Sequence, residues 1–269
     1  MNYIVFDLEF NQGYNFTKET KETKETKETK SAIDPKCPFE IIQIGAIKLN
    51  DNFETISTLD MFVKPEIYTT LNPFVKRLTG LTIDELNTGK SFKEMYEIFS
   101  NFITSDRSVL CVWGVADITE LFRNIAYYEL DSTIVPLEYI NIQSYASKKL
   151  SCEKGINIGL SNAAKLLDIP IESQFHDALN DAYYTAEVFK KIYTKNPETS
   201  IYNPSKRKRV ARLNTENYKT DFPNLMKQFG KMFERELTVD EKSIIKLAYI
   251  MGKTNQFQIK IDSEVKPKK

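Results

Sequence analysis

The sequence predicts an α/β fold in which a central mixed β-sheet is covered by helices. Short apolar runs that are typical of strands come first along the chain, and later runs alternate with segments of helical spacing. Of the 269 residues, 41% are hydrophobic, which is enough for a full core and is not typical of a disordered protein. This length allows one large domain, with or without an appendage.

Five segments are predicted as strands. Each is a short apolar run, and turn-forming residues separate them. In chain order they are 3–8, 40–49 (EIIQIGAIKL), 58–63, 108–113 and 137–142. The turn-prone Asn50-Asp51-Asn52 joins the second strand to the third.

Helices are predicted from capping sequences and from the spacing of apolar residues. Thr82-x-x-Glu85 and Ser91-x-x-Glu94 are capping boxes that predict two helix starts. Thr238-x-x-Glu241 predicts a last helix that continues to about residue 251. Helical spacing predicts three more, at 118–128, 160–167 and 178–193.

The composition changes near residue 195, and this divides the chain into two predicted domains. We assign residues 1–195 to the main domain and residues 196–269 to a basic, partly helical extension. In the extension, residues 206–209 (Lys-Arg-Lys-Arg) and Arg212 form a basic run. In the main domain, residues 17–30 repeat Thr-Lys-Glu, which is typical of a solvated insert or of a frayed, exposed helix, in either case without a catalytic role.

The formal net charge of zero conceals an asymmetry between the two parts. Residues 201–269 hold 16 Lys and Arg against 8 Asp and Glu, whereas residues 1–200 hold 21 against 29. An acidic domain can still act on a polyanion if its carboxylates hold cations. Charge runs are also often only solvated surface, so a substrate-binding extension and a packed helical appendage both stay open.

Three features predict the location of the protein. No apolar run approaches the roughly 18–20 residues of a membrane span, and Asp7 and Glu9 interrupt the N-terminus where a signal peptide needs apolar residues. The three cysteines include no CxxC pair. We therefore expect a cytoplasmic protein without a membrane partner, and no zinc site.

A pair of carboxylates in the first predicted strand is the first candidate for a functional site. Asp7 and Glu9 are two positions apart, so they point to one face of the strand, while Phe6, Leu8 and Phe10 point to the other. Adjacent carboxylates repel each other unless they share a divalent cation, and oxygen ligands suit Mg²⁺ or Mn²⁺. The alternative is a solvated strand face at the edge of the sheet.

Three later residues can join this pair. Asp117 follows the fourth predicted strand, at the cap or first turn of the next helix, where a routine cap is the alternative. Asp181 lies one turn into the helix that begins near Asp177, which we interpret as its N-cap. His176 is the only histidine in the chain, and it precedes that helix. It can face the same pocket as Asp181, or it can be an ordinary packed loop histidine.

An apolar run that ends in acid also resembles the Mg²⁺-holding strand of a P-loop NTPase. Such an enzyme needs the sequence G-x-x-x-x-G-K-[ST]. Gly89-Lys90-Ser91 is present, but the first glycine of the motif is replaced by Asp84, and the order along the chain is reversed. We therefore exclude this class.

Three motifs resemble those of the DEDDh 3′→5′ exonuclease superfamily, which includes DnaQ-like and RNase-T-like enzymes. They are FDLEF at 6–10, WG…D at 113–117 and HDALNDA at 176–182. EIIQIGA at 40–46 and LTGLT at 78–82 resemble the second strand and the substrate-contact segment of that family, and the WG pattern is similar to its RNA-directed branch. The resemblance covers residues 1–195 and implies an RNase-H-like fold with a five-stranded mixed sheet flanked by helices.

The resemblance also implies roles for individual residues. Two Mg²⁺ or Mn²⁺ ions are expected to bind Asp7, Glu9, Asp117 and Asp181, and His176 is expected to act as general base. Weaker candidates for contacts to the 3′-terminal nucleotide are Phe10, Asn11, Thr79 and Leu81. The implied activity is hydrolysis of single-stranded nucleic acid from a free 3′ end, with RNA favoured over DNA, to nucleoside 5′-monophosphates.

Two other functions stay open. One is a catalytically inactive nucleic-acid-binding protein on an exonuclease scaffold, against which the five intact catalytic positions argue. The other is an interaction protein in which the fold only presents the basic extension. The Thr-Lys-Glu insert falls just after the first motif, near the expected mouth of the pocket, where it could affect substrate access.

Overall fold

The computed structural model describes residues 1–13, 33–104, 107–152, 157–194, 197–204, 222–233 and 235–253. The chain divides into two compact units, Met1–Lys208 and Arg209–Lys269. The domain limits expected from the sequence, 1–195 and 196–269, remain predictions. The Thr-Lys-Glu insert and the basic run at 206–212 lie outside the described residues.

The first unit is built on a mixed β-sheet. Its strands are β1 (Asn2–Asn11), β2 (Glu40–Leu49), β3 (Thr55–Phe62), β4 (Ser108–Val112), β5 (Glu138–Asn141) and β6 (Ser200–Ile201), in the order β3-β2-β1-β4-β5-β6. The β1–β2, β2–β3 and β5–β6 pairs are antiparallel, whereas β1–β4 and β4–β5 are parallel.

The predicted α/β fold with a mixed sheet is confirmed, with one correction to the strand count. The sequence predicts five strands, and the described residues form six. The additional β6 has two exposed residues that pair with the edge strand β5. Two residues are too few to give a periodic hydrophobic signal, which is why the sequence does not reveal this strand.

Helices flank the sheet. They are α1 (Pro73–Thr79), α2 (Ile83–Asn87), α3 (Phe92–Thr104), α4 (Ala116–Tyr127), α5 (Ile142–Lys149), α6 (Leu160–Leu166) and α7 (Ala178–Ile192), with a 3₁₀ turn at Ser132–Ile134. The predicted capping boxes begin α2 and α3. In each, the Ser or Thr hydroxyl accepts from the N–H of the glutamate three residues later, and the carboxylate of that glutamate accepts from the N–H of the Ser or Thr. The sequence does not predict α1 and α5, which are short and begin without a capping box.

Successive residues of β1 alternate between two hydrophobic cores. Tyr3 and Val5 pack with α5, α6 and α7, whereas Ile4, Phe6 and Leu8 pack with α3 and α4. Burying one large apolar side chain contributes about 1.5–3 kcal/mol, so a one-residue slip of β1 would cost several such burials. The cores therefore fix which face of β1 carries its acidic side chains.

The second unit contains two described helices, α8 (Phe222–Met232) and α9 (Val239–Lys253). The predicted capping box begins α9, because the Thr238 N–H donates to Glu241 Oε2 (2.8 Å) and the Glu241 N–H donates to Thr238 Oγ1 (3.2 Å). The helix α8 is not predicted from the sequence. In the part of the chain that the structure describes, no helix is long and apolar enough to cross a membrane.

Candidate active site

The site is built on the second half of β1. Asp7 is half-buried and Glu9 is buried, and they pair with Gly45 and Gln43 of β2. The register of the β1–β2 pair then shifts between Glu9 and Phe10. A bulge of this kind re-aims side chains and ends regular pairing, and such bulges are common next to active sites. Both carboxylates lie on the face of β1 that α7 covers.

The helix α7 reaches this face because residue 45 has no side chain. A methyl group on Gly45 would lie 2.1 Å from the backbone N of Leu179 and 2.3 Å from the carbonyl O of Ala178. Close approach of a second backbone is one of the reasons for a glycine inside a strand. Gly45 thus allows the first turn of α7, which carries Asp181, to lie directly on β2 beside Asp7.

Gln43 holds the N-terminus of α7 in this position. Its buried amide donates to Asp177 Oδ2 (2.9 Å) and to Asp60 Oδ1 (3.2 Å), and it accepts from the Ala178 N–H (3.3 Å). Asp177 is the N-cap of α7, as the sequence predicts, and its Oδ1 accepts from the Asn180 N–H (3.0 Å). One side chain of β2 therefore bonds both the cap and the first N–H of the helix.

Two side chains of α7, Tyr184 and Asn180, form hydrogen bonds with the loop that precedes the helix, residues 171–176. Tyr184 Oη accepts from the N–H groups of Glu172 (3.1 Å) and Ser173 (2.8 Å), and it lies 3.1 Å from the Ser173 carbonyl, to which it donates. Asn180 Nδ2 donates to the carbonyl of Gln174 (3.1 Å). We call this segment the His176 loop, because its last residue is the histidine.

His176 is held in a backbone conformation that is uncommon for it. Its φ is +66°, in the left-handed region, which costs a residue other than glycine about 1–2 kcal/mol. The His176 N–H donates to Asp181 Oδ2 (3.0 Å), so a predicted site carboxylate helps to stabilise that conformation. The imidazole is exposed at the surface, although a ring nitrogen lies near Glu9 and Asp181.

Asp117 enters from the opposite side of β1, in the first turn of α4. It is buried, and its carboxylate accepts hydrogen bonds from its own N–H and from that of Leu8. Burial is the main cause that raises the pKa of Asp117, and the carboxylates of Asp181 and of the buried Glu120, one turn further along α4, raise it further. A carboxylate in the first turn of a helix is also favoured by the helix dipole. The structure thus brings Asp117 to the strand that carries Asp7 and Glu9.

Burial and mutual repulsion disturb the titration of every group in this cluster. Burial, reinforced by Asp117 and Glu9, raises the pKa of Asp7 well above its ordinary value. Burial and then the neighbouring carboxylates raise the pKa of Glu9 to about 8, and burial is the main cause that raises the pKa of Asp117 to about 7 and of Asp181 to about 6. Desolvation lowers the pKa of His176.

The donor set fits a divalent cation. Glu9, His176 and Asp181 each offer a ligand atom, and these atoms all lie within 4.8 Å of one another. Asp181 Oδ1 is buried and has no hydrogen-bond partner among the described residues, which costs about 1–3 kcal/mol unless a ligand satisfies it. Carboxylate oxygens suit hard divalent ions. A cation here would also offset the repulsion that raises the carboxylate pKa values.

Asn11, predicted to contact substrate, has its side chain fully buried. Its Nδ2 donates to the carbonyls of Tyr68 (2.9 Å) and Thr70 (3.1 Å), and its Oδ1 accepts from the Asn72 N–H (3.0 Å). These bonds hold the segment that leads into α1. Asn11 is therefore placed to position α1, and a direct contact with a nucleotide stays a prediction.

The other predicted substrate contacts lie at the end of β1 and around the end of α1. Thr79 and Leu81 are buried, and Thr79 Oγ1 donates to the carbonyl of Val75 (2.9 Å) and accepts from the Leu81 N–H (3.2 Å). Phe10 is half-buried, with its ring centroid 6.3 Å from that of Phe39. Their contact with a nucleotide also stays a prediction.

The sequence alone does not single out Gln43, Gly45 and Tyr184 as parts of the site. A signal is present for the first two, because they interrupt the otherwise apolar run at 41–47 and a glycine inside a strand indicates close approach. For Tyr184 no local signal exists, since its hydroxyl bonds Ser173, which lies 11 residues earlier in the loop before the helix.

A family model described as Exonuclease, of the RNase T type, matches residues 4–189. The match spans more than half of the chain and includes all five predicted catalytic residues. The chain belongs to this exonuclease family. The resemblance to the DEDDh exonuclease superfamily is thereby confirmed, and the exonuclease is a phosphodiester hydrolase. Comparison with curated proteins gives no significant match.

Solved structures share the fold of this exonuclease. The nuclease domain of 3′hExo, a DEDDh family member bound to rAMP, is 19% identical, with 75% of this chain and 96% of that chain covered and a TM-score of 0.58. Cell-death related nuclease 4 is 15% identical over 74% and 66% of the two chains, with a TM-score of 0.57. E. coli exonuclease I with a dA16 oligonucleotide is 18% identical over 71% and 40%, with a TM-score of 0.52.

Proposed function

We propose that this exonuclease removes nucleotides from the 3′ end of single-stranded nucleic acid, RNA in preference to DNA, and releases nucleoside 5′-monophosphates. The observation that carries the proposal is the convergence of four carboxylates, from β1, α4 and α7, with the single histidine of the chain. A buried cluster of carboxylates that raise one another's pKa is unfavourable without cations, and it is therefore typical of a functional site.

Asp7, Glu9, Asp117 and Asp181 would hold two divalent ions, Mg²⁺ or Mn²⁺. When bound, such ions supply positive charge and Lewis acidity at the scissile phosphodiester. Nearby positive charge favours the ionised form of a carboxyl group, so all four side chains would be anionic in the loaded enzyme. The His176 nitrogen is also within reach of two of these carboxylates, which leaves a ligand role as an alternative to the role of base.

His176 is the proposed general base. Desolvation lowers its pKa, so the imidazole is neutral near pH 7 and has a lone pair that can accept a proton. It takes a proton from the attacking water, whose oxygen forms a bond to phosphorus while the bond from phosphorus to the 3′-oxygen breaks. The 3′-oxygen leaves with the shortened chain and is protonated, and the released nucleotide keeps its 5′-phosphate.

Structural neighbours support the choice of substrate. The nuclease domain of 3′hExo is bound to rAMP, and a 3′-exonuclease that is 18% identical to this chain (TM-score 0.58) recognises the 3′ end of a histone mRNA stem-loop. E. coli exonuclease I is bound to a DNA oligonucleotide. Because Trp113 and Gly114 precede Asp117 as in the RNA-directed branch, we favour RNA.

The test is hydrolysis of matched single-stranded RNA and DNA by the purified full chain. Each oligonucleotide is labelled at either its 3′ or its 5′ end, with Mg²⁺, Mn²⁺ or EDTA present. A 3′→5′ enzyme releases the 3′ label at once as a mononucleotide and shortens 5′-labelled chains step by step. Chromatography against 5′- and 3′-monophosphate standards identifies the product, and kcat/KM on the two polymers measures the preference.

Asp7→Asn is the test variant, and Asp51→Asn, an exposed turn residue, is the matched control. Loss of activity in the first and retention in the second are expected. Binding without hydrolysis by the parent protein, with either metal, would instead support the inactive nucleic-acid-binding alternative. A kcat/KM that is higher on DNA would overturn the RNA preference alone.

A further inference from the structure

The second unit carries a groove that no step of the proposed hydrolysis uses. It has a volume of about 730 Å³, within the range of roughly 300–1,000 Å³ that is typical of ligand pockets. Residues from α8, from α9 and from the segment between them line it, and we call it the α8–α9 groove. Its apolar members include Phe222, Met226 and Leu237.

Positive charge dominates the rim of the groove. Lys227, Lys242 and Lys246 line it with exposed side chains, and none of them forms an ion pair within the described residues. Arg235, the fourth basic lining residue, differs, because its guanidinium donates to both carboxylate oxygens of Glu241 (2.9 and 2.6 Å). Among the described residues, the groove thus presents three ammonium groups without an ion-pair partner, against one acidic lining residue, Glu236.

An aromatic ring lies beside these charges. Phe222 packs edge-to-face against Tyr249, with ring centroids 5.4 Å apart, and the Lys246 ammonium lies 5.8 Å from the Phe222 centroid. Lysines that track a phosphate backbone, combined with an aromatic ring on which a base can stack, are the two elements of sequence-tolerant single-strand binding.

We propose that the α8–α9 groove binds single-stranded nucleic acid through the phosphates and a stacked base. The identity of the ligand rests on the proposed function, since the substrate of the catalytic site supplies the polyanion. Charge complementarity carries the choice of occupant: residues 201–269 hold twice as many basic as acidic residues, whereas residues 1–200 hold a net excess of acid that repels a phosphate chain. An acidic peptide is the rival occupant.

The test measures binding of a fluorescein-labelled 30-nucleotide oligo(U) to the full chain in EDTA, by anisotropy, over a range of salt concentrations. Lys227→Gln, Lys242→Gln and Lys246→Gln are combined in one variant. Each lost phosphate contact lowers the salt slope of a single-strand complex by about 0.7, so the slope should fall by about 2, with roughly 10- to 100-fold weaker binding at 0.1 M salt. Phe222→Leu, which keeps apolar volume, should weaken binding by about 5-fold or more through lost stacking.

The matched control removes the same charge from the first unit, by Lys93→Gln, Lys165→Gln and Lys191→Gln, all exposed. This control should bind oligo(U) with nearly the affinity and salt slope of the parent protein. Hydrolysis of a UpU dinucleotide should be unchanged in the groove variant, because its catalytic residues are intact. Helix content by circular dichroism should be that of the parent, since the altered lysines are exposed.

Failure of this proposal is distinguishable from failure of the proposed function. If the parent hydrolyses RNA and the groove variant binds oligo(U) with the affinity and salt slope of the parent or of the control, the groove proposal is overturned and the nuclease stands. If the parent binds oligo(U) through the groove lysines but hydrolyses nothing, the proposed function fails and the groove proposal stands. Groove-dependent binding of poly-glutamate with no effect on oligo(U) would also overturn the groove proposal, in favour of an acidic peptide.

Discussion

Replacing Gly45 by alanine should displace the first turn of α7 and disable the site without touching a catalytic side chain. The added methyl would lie 2.1 Å from the Leu179 nitrogen and 2.2 Å from the Ala178 carbonyl carbon, both of them backbone atoms. Real Cβ contacts are essentially never shorter than 3.0 Å, so strand and helix must separate by about 1 Å at least. Asp181 and His176 move with the helix.

A misplacement of about 1 Å can lower a catalytic rate by roughly 10²-fold, and we expect a fall of that size in kcat/KM on single-stranded RNA. Overpacking of a tight core typically costs about 1–3 kcal/mol of folding free energy. For a protein of this size, that corresponds to a melting temperature lower by roughly 2–12 °C, measured by circular dichroism.

Gly159→Ala is the matched control, because a methyl group there meets no atom within 4 Å and the backbone φ of −75° suits any residue. It should keep the kcat/KM of the parent and a stability within about 1 kcal/mol. If Gly45→Ala instead keeps both the activity and the melting temperature of the parent, the close approach of α7 to β2 is not what positions the site.

Four further predictions follow from the site. Asp7→Asn should abolish metal-dependent turnover and raise the melting temperature measured in EDTA, because repulsion in the cluster is relieved; undiminished turnover of the parent in excess EDTA would contradict the first part. His176→Ala should lower kcat by roughly 10²–10⁴-fold and remove the acidic limb of the pH–rate profile, and a variant with a near-parental rate at pH 7 would exclude the role of base. The metal-free protein should lose stability as the pH rises from about 4 to about 8, because the pKa of Glu9 is raised to about 8 in the folded state. The stability that protonated Glu9 contributes is complete below its unfolded pKa and is lost above its folded pKa. Urea unfolding in EDTA at several pH values measures this, and a flat profile would refute it. Tyr184→Phe should lower kcat by about 10-fold with little change in KM and alter the acidic limb, because the His176 loop loses the hydroxyl that bonds it, whereas Tyr183→Phe, at an exposed neighbour, should change neither value.

Local rules were sufficient to predict the elements that carry the site. The alternation of β1 places Asp7 and Glu9 on one face because the residues between them are needed in the core. Capping boxes mark the starts of α2, α3 and α9 because the bonds involved join residues three positions apart. Such signals lie within a few residues, so a single sequence reveals them.

Contacts between distant segments could not be predicted in this way. Gln43 and Asp177 are 134 residues apart along the chain, and nothing near either residue indicates the other. The same limit applies to Asn11, whose position after the first motif favours a substrate contact, while its amide bonds the backbone of residues 68–72. The short strand β6 depends on the exposed edge of β5 and not on its own sequence.

The groups that position the site differ from those that carry its charge. Repulsion of Asp7 and Glu9 by Asp117 and Asp181 acts to separate β1 from α4 and α7 when no cation is present. The elements are held together by two hydrophobic cores, by the close contact at Gly45 and by the amide of Gln43, none of which depends on metal. A divalent ion would therefore enter a preformed site, and less conformational entropy would be lost on binding than if the ion had to order the loop and helix itself, at about 1–2 kcal/mol per ordered residue. It follows that Gly45→Ala, which leaves every ligand in the chain, should weaken metal binding as well as turnover, whereas a loss of turnover with unchanged metal affinity would mean that the ligands assemble independently of this contact.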